Sequence, residues 1–373
     1  MVLLVAGVIA GFVLVGSDGA VPGLGVSSRL QSLDVVSPTA PEHAAHPELA
    51  LVSAMAPWRA LEPTDDVFDW SQLEANVIDA QRNGYRLILR IMAGRVAPPW
   101  LAEAGAASID VFGSDPNAVD HCEPIRVPVP WDPVLAEEYR ELMMELGSWL
   151  RGPDGAGRMR ADHVALVPVA MPTVLGSEMT ISYGPPGVCP SGTAAAGLDL
   201  TTANRTAWNA LAPEAERREL LERAWQEAIE IHAAALPEPT ASVIAYGHLF
   251  DDQQTAALRI ARTAVAADPE ALWSMYTNLQ AKLHPDGTLG PWSQVCPRCH
   301  EVLLAAADAG GGIGFQLATT RVNDSLEELT VALDGALETY PVGFIEAQPV
   351  AIDTFGGYLL EGEDSVQHAI LGR

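Results

Sequence analysis

Two glutamates in this 373-residue chain stand where an ionised side chain is expensive. Glu346 is the only charge in Gly343-Phe344-Ile345-Glu346-Ala347-Gln348, an otherwise apolar, strand-like run, so it must have a partner or a task. Glu178 follows Leu175, Gly176 and Ser177 and precedes Met179. Desolvation in such a setting favours the neutral acid, which is what general-acid work at neutral pH requires. The plainer alternatives are a loop carboxylate for Glu178 and an ion pair with an arginine for Glu346.

Other residues with chemical reach fall at the ends of strand-like runs. Trp58, Trp100 and Trp131 offer flat apolar faces, Arg90 a forked donor, and Gln316 and His248 further hydrogen-bonding groups. Asn278, Gln280 and Lys282 alternate at period two beyond Leu272–Thr277, which places them on one face if the strand continues. Lys282 is the single lysine of the chain. Cys296-Pro297-Arg298-Cys299-His300 fits the c-type haem attachment pattern, although a local CxxC disulfide is the simpler reading. Of the four cysteines, Cys122 and Cys189 lie in long irregular segments and are expected to pair, leaving Cys296 and Cys299 as a local pair or free thiols. No His-Glu-x-x-His, phosphate loop, dinucleotide fingerprint or Gly-x-Ser-x-Gly elbow occurs, so neither a metal nor a cofactor is expected.

Composition narrows the partners. Hydrophobic residues make up 49% and charged residues 18%, enough apolar surface for a large core. The net charge of −27 repels phosphate backbones and anionic lipids, so nucleic acid is not an expected partner. The apolar run Val2–Val15 has the length of a secretory h-region and is shorter than the roughly 20 residues of a spanning helix. Residues 1–20 therefore read as a signal peptide or membrane anchor, and the protein as extracytoplasmic, secreted or anchored. Residues 21–48, rich in Pro, Ser, Ala and Gly, read as a linker that can also supply a first strand.

From residue 49 to 373 strands and helices alternate, the pattern of parallel strands joined by crossover helices. Strands are expected at Leu51–Trp58, Arg86–Met92, Val164–Val169, Ser242–Tyr246, Leu272–Thr277, Ile313–Ala318 and Gly343–Gln348. Ser71 with Glu74, and Ser325 with Glu328, have capping-box spacing, and Asp132-Pro133 opens a further helix. Two connections, Ala93–Trp131 and Met171–Asn204, are about twice the usual length and both follow strands. The expectation is a single-domain (β/α)8 barrel of TIM type with its long loops on the C-terminal face, and an open doubly wound sheet is the alternative.

Trp58-Arg59-Ala60-Leu61-Glu62-Pro63, Val67-Phe68-Asp69-Trp70-Ser71, Gly84-Tyr85-Arg86-Leu87-Ile88-Leu89 and Pro98-Pro99-Trp100-Leu101 together resemble a signature of clan A glycoside hydrolases, most like the family 42 β-galactosidase type and its uncharacterised relatives. The resemblance implies that Leu51–Trp58 is barrel strand two and Val164–Val169 strand four. It places the acid/base glutamate near Glu178, where the usual Asn-Glu pair reads Ser177-Glu178. It puts the nucleophile on strand seven, yet Ile313–Ala318 offers Gln316 and no carboxylate, and Glu346 falls on strand eight. Either the count is one off or the site is a variant. The implied function is hydrolysis of a glycosidic bond by Glu178 as acid/base and Glu346 as nucleophile or second carboxylate. Trp58, Arg90, Trp100, Trp131, His248, Asn278, Gln280, Lys282 and Gln316 would then contact the carbohydrate. A glycan-binding barrel that does not cleave is the second reading, and a c-type haem protein the third.

Overall fold

The computed structural model describes residues 23–27, 34–113, 121–170, 188–246, 251–317, 325–361 and 365–371. Eight parallel strands form a closed barrel: β1 Gly23–Ser27, β2 Leu51–Pro57, β3 Arg86–Met92, β4 Val164–Pro168, β5 Ala241–Tyr246, β6 Leu272–Leu279, β7 Ile313–Leu317 and β8 Val342–Ala347. Each pairs with its neighbours in chain order, and β1 closes the ring by pairing with both β2 and β8. This is the (β/α)8 barrel, and the closed ring excludes the open sheet. The closing strand lies inside the stretch that reads as linker, and a short helix, Ala40–Ala45, follows it there.

The outer ring contains α1 Ser71–Asn83, α2 Pro133–Arg151, α3 Glu214–Ala235, α4 Asp251–Ala267, α5 Pro297–Asp308, α6 Leu326–Thr339 and α7 Pro349–Leu360. Local chemistry sets their ends. Asp132 caps α2 by accepting from the Val134 and Leu135 N–H groups, with Pro133 at the first helical position. Ser325 caps α6 through the Glu328 N–H. The capping box expected at Ser71 does not form: Trp70 is the cap residue, Asp69 accepts from the Ser71 N–H, and Glu74 turns away to Arg160. An ion pair with a neighbouring element outcompetes the local bond. Gly84 ends α1 at φ +80°, a conformation that strains any side chain, and donates to the Ala80 carbonyl.

Inside the barrel the strands contribute alternate residues in layers. The apolar layer is Leu51, Ile88, Leu166, Val243, Trp273 and Phe344. Room for it comes from β7 and the turn before it, where a Cβ on Gly312 would lie 1.9 Å from the Trp273 ring and one on Gly314 2.1 Å from the Phe344 ring. The next inward position of β7 is Gln316. It belongs to a polar layer nearer the C-terminal ends of the strands.

The two long connections are organised. After β3 come a helical turn, Trp100–Glu103, and an antiparallel hairpin, Ser108–Phe112 with Pro124–Pro128. After β4 the described chain resumes at Val188 and enters the helix Leu200–Leu211. The two connections share a small separate core of Cys122, Cys189, Ala195 and Leu200, joined by the expected Cys122–Cys189 disulfide.

Candidate active site

The polar layer of the lumen is built on Glu346, whose side chain is fully buried. Its Oε1 accepts from the Ser53 hydroxyl at 2.5 Å and from Arg90 Nε at 3.3 Å. Its Oε2 accepts from Gln316 Nε2 at 2.9 Å and from the second arm of the Arg90 guanidinium. The same arm lies 3.8 Å from the Met275 sulfur. Five strands thus converge: Ser53 from β2, Arg90 from β3, Met275 from β6, Gln316 from β7 and Glu346 from β8. The guanidinium offsets the charge that the apolar strand could not leave bare, and every short bond to the carboxylate comes from a donor.

Three residues singled out in the sequence, Glu346, Arg90 and Gln316, are therefore brought together. Ser53 was missed. Its signal was available: it is the one polar residue in the apolar run Leu51–Pro57, at a position that alternation turns inward. With β1 in place, the strand count stands, and Glu346 is on strand eight while Gln316 is on strand seven.

The tryptophans serve a different group. Trp58 is fully buried and donates from Nε1 to Glu62 Oε2 at 2.8 Å, and Trp100, 9% exposed, donates to the Glu62 carbonyl at 3.1 Å. Their rings meet edge to face at 6.3 Å, and Trp58 also packs on Tyr139 of α2. Neither presents a free face, which corrects the sugar-stacking expectation for both: these indoles lock the loop after β2. Glu62 itself is buried, and burial pushes its carboxyl up to about 7. The Trp58 indole and the Asp66 N–H pull it down, and Glu138 and Glu141 on α2 add to the rise. Trp131 is half-buried against Trp208 and lines a groove between α2 and α3 with Arg223 and Glu227.

Asn278, Gln280 and Lys282 do not share one strand face. β6 ends at Leu279, so half-buried Asn278 is its penultimate residue and Gln280 lies beyond it. Lys282 opens a two-residue strand that pairs antiparallel with Leu289–Gly290. A change of partner at Ala281 breaks the alternation. Glu178 and His248 lie outside the described residues.

The haem reading is also corrected. Cys296 and Cys299 are joined to each other and buried at the start of α5, so neither thiol is left for a thioether, and His300 Nδ1 is hydrogen-bonded to the Tyr340 hydroxyl. Among the described residues no group of three or more His, Cys, Asp or Glu side chains is arranged to hold a metal ion.

No protein-family model matches the chain, and no curated protein matches it. Solved structures do. A psychrophilic glycoside hydrolase family 10 endo-β-1,4-xylanase is 10% identical, covering 95% of this chain and 97% of its own, at a TM-score of 0.47. Xylanase B from Clostridium stercorarium F9 is 11% identical over 88% of this chain and 86% of its own, at 0.45. A GH10 protein from Paenibacillus barcinonensis is 14% identical over 88% and 82%, at 0.43. The fold rests on the strand order of this chain, and likeness at this level assigns neither residues nor substrate.

Proposed function

We propose that the chain is a carbohydrate-active barrel of the clan A type that hydrolyses a glycosidic bond at its C-terminal mouth, with Glu346 as the ionised carboxylate and Glu178 as its acid/base partner. The observation that carries this reading is the Glu346 carboxylate itself. It is charge-matched by Arg90 and oriented by Ser53 and Gln316 in the C-terminal half of the lumen, the end at which barrels of this fold keep their chemistry. The motif run from Trp58 to Leu101 supports the clan, and the family 42 type within it. The pairing of all four cysteines, together with the apolar run Val2–Val15, supports work outside the cytoplasm.

The test is a screen of aryl glycosides and polysaccharides with the unaltered protein and with Glu178→Gln and Glu346→Gln. Hydrolysis lost in both variants is expected, and hydrolysis unchanged in both overturns the proposal. The carboxyl separation in a ligand-bound crystal structure then gives the stereochemistry: roughly 5–5.5 Å for retention, about 6.5–9.5 Å for inversion.

One observation favours a second reading, glycan binding without cleavage. Both Glu346 oxygens are occupied by donors and the group is fully buried, on strand eight. A carboxylate in that state orders a site before it attacks anything. Retained glycan binding with no hydrolysis of any glycoside in the screen selects this reading.

A further inference from the structure

The two disulfides differ in what they hold. Cys296–Cys299 closes a stretch of sequence separation 3 within the start of α5, so breaking it releases almost no chain. Cys122–Cys189 spans 67 residues and ties the connection after β4 to the hairpin after β3. Residues 190–198 are mostly exposed, with Ala195 the single buried member. Among the described residues, Ala195 N–H also bonds the Cys122 carbonyl at 3.1 Å and Ala194 N–H bonds Glu123 Oε1 at 3.2 Å. A cross-link over this length constrains far more chain than one over three residues.

The bond is also polar in its surroundings. His121 Nε2 lies 3.4 Å from Cys122 Sγ, and the buried His121 Nδ1 has no hydrogen-bond partner among the described residues. A neutral imidazole carries one proton, and a buried N–H without a partner is costlier than a bare lone pair. The proton therefore belongs on Nε2, facing the Cys122 sulfur. Among the described residues no such donor faces Cys189, which is 4% exposed where Cys122 is fully buried. The hydrogen bond favours departure of Cys122, and hence attack at Cys189.

We propose that Cys122–Cys189 is a directional, reducible latch for a dithiol reductant, opened at Cys189 and releasing residues 188–199 from an intact barrel. A reductant thiolate forms a bond to Cys189 Sγ as the Cys122–Cys189 bond breaks, and the electron pair leaves with Cys122 toward His121 Nε2–H. The second thiol of the reductant then attacks its own sulfur and expels Cys189. The two protein thiolates take up the two protons that the dithiol gives up, and the reductant becomes a disulfide. His121 acts here as a positioning residue for the leaving sulfur.

Three measurements on the intact protein test this. With the monothiol glutathione, trapping and peptide mass spectrometry should place the mixed disulfide on Cys189, and capture mainly on Cys122 overturns the direction. With dithiothreitol, differential alkylation should tie loss of Cys122–Cys189 to new elastase cuts at Ala194–Ala196 while the barrel stays resistant. A reduced protein still resistant there overturns the latch. His121→Ala should slow reduction of this pair about tenfold at neutral pH and leave Cys296–Cys299 unchanged, and an unchanged rate removes His121 from the proposal.

Discussion

Arg90 and Glu346 face each other across the lumen, one guanidinium bonding both oxygens of one carboxylate, with Nε at 3.3 Å from Oε1 and the terminal amine on Oε2. Neither is exposed by more than 3%. Each therefore depends on the other for its charge balance, and the polar layer of the barrel depends on both.

Arg90→Met leaves the Glu346 charge buried and unpaired, and should lower unfolding stability by about 3–5 kcal/mol in urea titrations. The double variant Arg90→Met with Glu346→Leu removes both charges and should recover most of that loss. A double variant as unstable as Arg90→Met alone contradicts the pairing.

Gly314→Ala places a Cβ 2.1 Å from the Phe344 ring, inside the packed lumen. Overpacking of this kind destabilises by about 1–3 kcal/mol, read as a lower thermal midpoint. Phe344→Leu in the same chain should restore part of it, because the clash is with the ring and not with the backbone.

Asp132→Ala removes the two capping bonds of α2 together with the bond from the Ala107 N–H. The expected loss is about 1–2 kcal/mol. Asp132→Asn, which still accepts, should lose less by the same denaturation measurement.

Two buried groups give stability an opposed pH dependence. Burial lowers His232, hydrogen-bonded to Tyr139, from 6.5 to about 3. Between those values the unfolded chain binds the extra proton, so stability falls with acidification, by at most about 1.4 kcal/mol per pH unit. Burial raises Glu62 from 4.5 to about 7, so in that interval the folded chain holds the proton and stability falls as pH rises. The two should offset between pH 4.5 and 6.5. In Glu62→Gln, stability should climb from pH 3 to 6.5, and in His232→Gln it should decline from 4.5 to 7, both read from denaturation midpoints.

The barrel was legible in the sequence because its strands are buried on both faces and read as apolar runs between helix signals. β1 was legible only as a strand that residues 21–48 could supply, without its bounds, since Gly23–Ser27 is short, contains two glycines and sits in a Pro- and Ala-rich stretch. Of the site, Glu346, Arg90 and Gln316 were legible as polar residues interrupting apolar strands. The tryptophans were misassigned for a physical reason. An indole at a strand end can face a ligand or donate inward, and only the position of Glu62 decides for Trp58 and Trp100. Period two likewise misled at Gln280 and Lys282, because alternation in a sequence does not show where a strand changes partner.

Asn204, on the helix Leu200–Leu211, donates to the Phe112 carbonyl at 3.0 Å and accepts from the Phe112 N–H at 2.8 Å. A side-chain amide thus satisfies both main-chain groups of one hairpin residue, as an adjoining strand would. The outer rim of a two-stranded ribbon is where a foreign extended segment can add. By occupying both groups of Phe112, a single asparagine withholds that rung from any such segment.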